Sequence, residues 1–150
     1  MFKITSTTID TNALQGRIVN DKAGAIVIFE GWVRNHNEGQ AVDALEYSAY
    51  DALCINEANI IIAEAKEKYD ILEINGAHRT GLLDIGDVAI FVAVTSKHRK
   101  AAFEACEHLI DQFKARLPIW KKEYYTNGDS HWINCQQCSQ KIDRTLIPGD

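Results

Sequence analysis

Apolar positions along this chain follow two periods, and the changes between them mark out the elements. Phe2 to Ile9 is rich in threonine and predicts an edge strand. Asp10 predicts a cap for a short helix through Asn20, with Leu14 and Ile18 facing inward. Ala25 to Val33, AIVIFEGWV, is a strongly apolar strand broken by Gly31, where a bulge or close backbone approach is expected. Turn residues mark Arg34 to Gly39 as a loop. Val42 to Tyr50 is a second strand, with Leu45 and Tyr47 alternating against charged neighbours. Asp51 is expected to cap a long helix to about Lys68, whose broad apolar set (Leu53, Ile55, Ala58, Ile61, Ile62, Ala65) suits packing on a sheet. Ile71 to Arg79 and Asp87 to Thr95 are two further strands joined by a turn around Gly81 to Gly86. The second is apolar on both faces and should be central in its sheet.

The most informative stretch is His98 to Glu123, HRKAAFEACEHLIDQFKARLPIWKKE. Phe103, Cys106, Ile110, Phe113 and Leu117 recur at helical steps and predict one apolar face, with Ser96 as N-cap. Pro118 lacks an N–H and disfavours helical geometry at Leu117, so the helix should stop there. Ile119 to Tyr125 and His131 to Asn134 flank an Asn127-Gly128 turn and predict a C-terminal hairpin. Hairpin-joined strands with two long helices indicate one α+β domain over residues 1–150 with a mainly antiparallel sheet, the residues from about 136 to 150 forming a loose tail.

Composition narrows the function classes. The chain is 46% hydrophobic and 25% charged, ordinary for a globular protein. Its net charge of −5 argues against nucleic-acid binding, so basic clusters must act locally. The apolar runs are too short to span a bilayer and no export signal is evident, so a cytoplasmic protein without a membrane partner is expected. Cys54 and Cys106 fall in helical patterns as small core residues. Cys135-Gln-Gln-Cys138 is a CxxC that supplies only two zinc ligands; a metal site would need a second copy of the chain, with His131 as a further ligand. No cofactor is expected.

Against that acidic background, Lys114, Arg116, Lys121 and Lys122 crowd one corner. Clustered cations in a partly dry site lower a lysine's pKa or bind an anion. Arg34 ends a buried strand that would fix its position. His98 and Arg99 open the long helix, where cations oppose the helix dipole unless an anion is near. His78-Arg79 ends another strand and suits a structural role. Arg99 and Lys114 are fifteen residues apart on one helix, roughly 22 Å. If both serve one small ligand, they must come from different chains. The expectation is a homodimer whose site takes Arg34, Lys114 and Lys121 from one copy and His98 and Arg99 from the other. A non-catalytic anion-binding scaffold would use the same corner, and a redox or zinc module would use the CxxC.

The segments GAIVIFEGWVRNHNEG, LEYSAY, HRTGLLDIGD, VTSKHRKAAFEAC and LPIWKKE resemble the large, catalytic subunits of molybdopterin synthase, over roughly Ala23 to Trp132. The resemblance implies an α/β hammerhead fold and a central homodimer within a heterotetramer. It also implies a small ubiquitin-like sulfur carrier with a Gly-Gly C-terminus as partner, and sulfur transfer from its thiocarboxylate to cyclic pyranopterin monophosphate. Carried over by motif, Arg34, His98, Arg99, Lys114, Lys121 and Glu123 match pocket residues, with Lys122 beside them and Phe29 and Ile110 at apolar wall positions. It assigns catalysis to Lys114, assisted by Lys121. Trp32 stands where relatives often carry lysine or threonine, so only a backbone contact carries over. The family's basic residue after the C-terminal tryptophan has no evident counterpart; Gln136 falls near its place and Arg144 is an alternative.

Overall fold

Val88–Ser96 (β7) is the strand on which the first sheet is built. Every residue from Phe91 to Ser96 is buried. Such two-sided burial requires neighbours on both edges, and Ile74–Arg79 (β5) and Ala25–Trp32 (β2) supply them, both antiparallel. Phe2–Thr5 (β1) adds a parallel strand outside β5, giving the order β1-β5-β7-β2. The computed structural model describes residues 1–136. The loose tail expected from about 136 therefore lies outside the described residues apart from Gln136, which is tied down: its Nε2 donates to the Arg116 carbonyl at 2.9 Å.

A second, fully antiparallel sheet is built on Gln40–Ala49 (β4). This strand pairs with His36–Asn37 (β3), with Gly81–Asp84 (β6) and with Ile119–Tyr125 (β8), which pairs in turn with Trp132–Asn134 (β9). The expected turn at Gly81 to Gly86 is therefore partly strand; Leu83 is fully buried and Leu82 exposed, a period-two signal too short to stand out. The expected loop at Arg34 to Gly39 holds β3 and a tight hairpin turn. Glu38 and Gly39 both take positive φ there, at 49° and 79°. The β8–β9 hairpin forms as expected, with Gly128 at φ 90°.

Thr11–Gly16 (α1) is capped by Asp10, whose carboxylate accepts from the Ala13 amide at 3.0 Å, and it ends earlier than Asn20. Asp51–Lys68 (α2) and Arg99–Arg116 (α3) cover one face of the first sheet. Neither has the expected cap. Asp51 is the first helical residue after an extended Tyr50. The Ser96 hydroxyl donates to the His98 carbonyl at 2.6 Å, so α3 starts from an extended His98. Buried α2 positions are Cys54, Ala58, Ile61, Ile62 and Ala65; Leu53, expected to face the sheet, is 55% exposed because Cys54 sets the helix phase. On α3 the small residues Ala102 and Ala105 alternate with Leu109 and Phe113, and the Phe113 ring lies 4.9 Å from that of Phe2. Phe103 was expected on this face but is 61% exposed. It lines the open groove between α3 and β2, the last strand of the sheet.

Candidate active site

Leu117, the residue before proline, is extended at φ −75°, ψ 133°, so the chain leaves α3 and enters β8 with a fixed direction. Strand alternation then sorts the basic run. Ile119, Lys121 and Glu123 point inward, and Trp120, Lys122 and Tyr124 point outward. A cavity of about 240 Å³ opens where α3, β8, β2 and β7 meet. Lys114 and Lys121 both line it, with Phe29, Ile90, Phe113 and Leu117 among the apolar walls. Gly31 permits the close approach of β2: a Cβ there would stand 2.7 Å from Ile90 Cγ2, and the β2–β7 register shifts at Gly31/Trp32 as a bulge.

The two cavity lysines differ in their company. Lys121 Nζ lies 3.3 Å from Glu123 Oε1. Glu123 is 3% exposed and also accepts from Asn37 Nδ2, at 2.9 and 3.0 Å, and from the Tyr125 hydroxyl. Burial alone would raise the Glu123 carboxyl. The hydrogen bonds from Tyr125 and Asn37, with the charge of Lys121, outweigh that and hold it below its ordinary value. The same bond raises the Tyr125 phenol. Lys114, exposed in the last turn of α3, pairs with no carboxylate among the described residues. It is thus available to an incoming anion.

The remaining expected residues divide. Arg34 is exposed, and its Nη2 reaches Asn37 Oδ1 at 3.5 Å, one side chain from Glu123. His98 and Arg99 are exposed at the far end of α3, one 18-residue helix away from Lys114, and do not line the cavity of their own chain. Phe29 lines the cavity; Ile110 instead lines a neighbouring groove between β2 and α3, which Phe29 shares. Lys122 lies outside the lining, its ammonium 5.0 Å from the Tyr124 ring centroid and 5.9 Å from that of Trp132. Arg116, counted with the basic corner, turns away and clamps α2 to α3 through Glu57 and Glu64, at 2.7 and 2.6 Å. Cys54 and Cys106 are core residues, as expected. Cys135 lines the cavity, and Cys138 lies outside the described residues. Arg79 is structural, paired with Asp87 at 3.2 Å.

Some site residues escaped the sequence. Asn37 and Tyr125 hold Glu123, while Tyr47 and His78 line the cavity. Tyr125 shares the alternation of Glu123 and could have been found from it. Asn37 and His78 carry no local signal, because both reach the site through pairing across the chain.

This arrangement can gather an anion and stabilise charge that develops beside an ammonium in a largely apolar cavity. The chain as a whole is similar to known proteins. Residues 4–116 match the family model described as MoaE protein. The molybdopterin synthase catalytic subunit of Thermoplasma volcanium is 42% identical over 130 residues, 87% of this chain and 95% of that protein. That of Bacillus subtilis is 42% identical over 148 residues, 99% of this chain and 90% of that protein, so the likeness runs through β8. The crystal structure of molybdopterin synthase from Staphylococcus aureus superposes with a TM-score of 0.83 at 36% identity, covering 89% of this chain and 96% of that one. A Helicobacter pylori complex of subunits 1 and 2 of molybdopterin-converting factor contains a chain of TM-score 0.71 at 28% identity, covering 89% of this chain and 88% of that one. The mixed fold, the two lysines that meet across Pro118 and these likenesses lead to one assignment: the chain belongs to the MoaE family.

Proposed function

We propose that this chain is the catalytic subunit of a molybdopterin synthase, a sulfurtransferase of molybdenum cofactor biosynthesis. It works with a small subunit, as in the Helicobacter pylori complex of subunits 1 and 2. In this reading the partner is a ubiquitin-like carrier whose Gly-Gly C-terminus, as a thiocarboxylate, enters the cavity. The acceptor is cyclic pyranopterin monophosphate. Lys114 receives the thiocarboxylate anion and assists its attack and the proton movement at the pterin side chain. Lys121 stabilises the developing negative charge, and Glu123 holds Lys121 in place.

Arg34 of the same chain, linked to Glu123 through Asn37, contributes to the phosphate contacts. His98 and Arg99 of the partner subunit complete the phosphate and pterin contacts, because α3 keeps them far from Lys114 of their own chain. The assembly is therefore a homodimer within a heterotetramer. The observation that carries the reading is the pairing of an uncompensated Lys114 with a Glu123-bound Lys121 at one cavity. Reconstitution tests it: purified chain, thiocarboxylated carrier and precursor should yield the dithiolene product. Absence of product, or near-normal turnover by Lys114→Ala, overturns it.

A further inference from the structure

The cavity takes an anion through two lysines, but lysines only donate hydrogen bonds. A peptide tail brings backbone N–H groups as well, and a buried N–H without an acceptor is costly. The described lining holds one imidazole, that of His78 on β5. Its ring packs edge-on to Tyr47, centroids 4.8 Å apart, and Tyr47 lies directly across from Lys121 in the β4–β8 pairing. His78 thus sits one side chain from the basic pair.

Its protonation follows from geometry. Nδ1 stands 2.8 Å from the Arg79 carbonyl, which can only accept, so Nδ1 carries the hydrogen. The side chain is 7% exposed, and burial pushes the imidazole down to about 4 despite that hydrogen bond. At neutral pH the ring is uncharged and Nε2 presents a bare lone pair. Among the described residues no donor is hydrogen-bonded to Nε2, and His78 lines the cavity, so this nitrogen is the one left to face it. An acceptor that opens from the wall into a cavity beside two ammonium groups, with no protein donor on it, suits an N–H on the ligand.

From this juxtaposition we infer that His78 Nε2 accepts a hydrogen bond from a backbone N–H of the carrier's C-terminal peptide, setting the depth at which the terminal anion meets Lys114 and Lys121. The inference rests on the sulfur-carrier reading above. It makes His78 a binding residue that recognises peptide, in contrast to Arg34, His98 and Arg99, to which the same reading gives the phosphate and pterin. Glycine suits such a tail, since it brings a backbone N–H and no side chain into a cavity walled by Phe29, Ile90 and Phe113.

The probe is a synthetic peptide ending in Gly-Gly, compared with the same peptide carrying N-methylglycine at the last position and again at the one before. On the intact chain, one of the two methylated peptides should bind about tenfold more weakly than the parent. The variant His78→Leu should bind the parent about tenfold more weakly and no longer distinguish that methylated peptide. His78→Gln, which keeps an acceptor, should recover discrimination. Equal loss on methylation in the intact chain and His78→Leu overturns the inference. Should His78→Leu not fold, ¹⁵N-histidine spectra of the unaltered chain decide. The Nε2 resonance of His78 must shift on saturation with parent peptide, and an unmoved resonance overturns the proposal. If no Gly-Gly peptide binds the intact chain at all, the sulfur-carrier reading itself fails.

Discussion

Lys121 and Glu123 stand two residues apart on one face of β8, with Nζ 3.3 Å from Oε1. The carboxylate is almost wholly buried and has three donors around it, so the ammonium is aimed as well as neutralised. Lys114, across the same cavity, has no carboxylate beside it among the described residues. One ion pair thereby distinguishes two chemically identical side chains.

Removing each should tell them apart. Lys114→Ala is expected to slow single-turnover product formation by about 10² to 10³-fold, the usual cost of one stabilising group in a preorganised site. Lys121→Ala should also slow it, and should leave Glu123 buried with one fewer counter-charge, so that its midpoint of urea denaturation falls where that of Lys114→Ala does not. Quench-flow assays and equilibrium unfolding measure the two effects.

Glu123→Gln should be destabilising by about 2 kcal/mol near neutral pH, as charge-assisted bonds to Asn37, Tyr125 and Lys121 weaken. The folded carboxyl titrates below its ordinary value, so the unfolded chain binds the proton more readily. The contribution is therefore present above the usual carboxylate range and disappears as pH falls through the lowered value. Urea curves of both proteins at neutral pH and at about pH 3 should show the gap closing. A gap that persists unchanged in acid would contradict the shift.

The proposed sharing of the site between two copies has a sharper test. Arg99→Ala and Lys114→Ala should each be nearly inactive alone. When unfolded together and refolded, half the dimers are mixed and each mixed dimer regains one intact site, so about a quarter of normal activity should return. No recovery would mean that Arg99 serves its own chain's Lys114.

Gly31→Ala adds a methyl 2.7 Å from Ile90 Cγ2 in the cavity wall. The neighbour is a side chain and can yield, so the expected cost is about 1 to 3 kcal/mol, typical of overpacking, with weaker binding of a Gly-Gly peptide. Calorimetric titration with that peptide checks the second part.

Local rules were enough for the elements whose cause is local. Asp10 caps α1, Pro118 ends α3, Asn127-Gly128 turns the last hairpin, and the double apolar face of β7 places it centrally. Lys114 and Lys121 were legible for the same reason, since a helix stop and strand alternation fix them both. What stayed hidden depends on distant partners. β6 is a strand because β4 pairs with it, and Asn37 meets Glu123 across 86 residues. Phe103 and Leu53 follow helical spacing yet are exposed, since periodicity alone does not fix which edge of a helix's apolar face its neighbours cover. The caps failed because Ser96 and Asp51 use their side chains otherwise or stand one residue too late.

Both ends of α3 are anchored to strands, through Ser96 before it and Pro118 after it. Adding a single residue to the helix would swing Lys114 about 100° around the axis and advance it about 1.5 Å. The ammonium would leave the cavity even though every other side chain survived. The span from His98 to Pro118 thus behaves as a ruler with no slack, and natural variation in length should fall elsewhere in the chain.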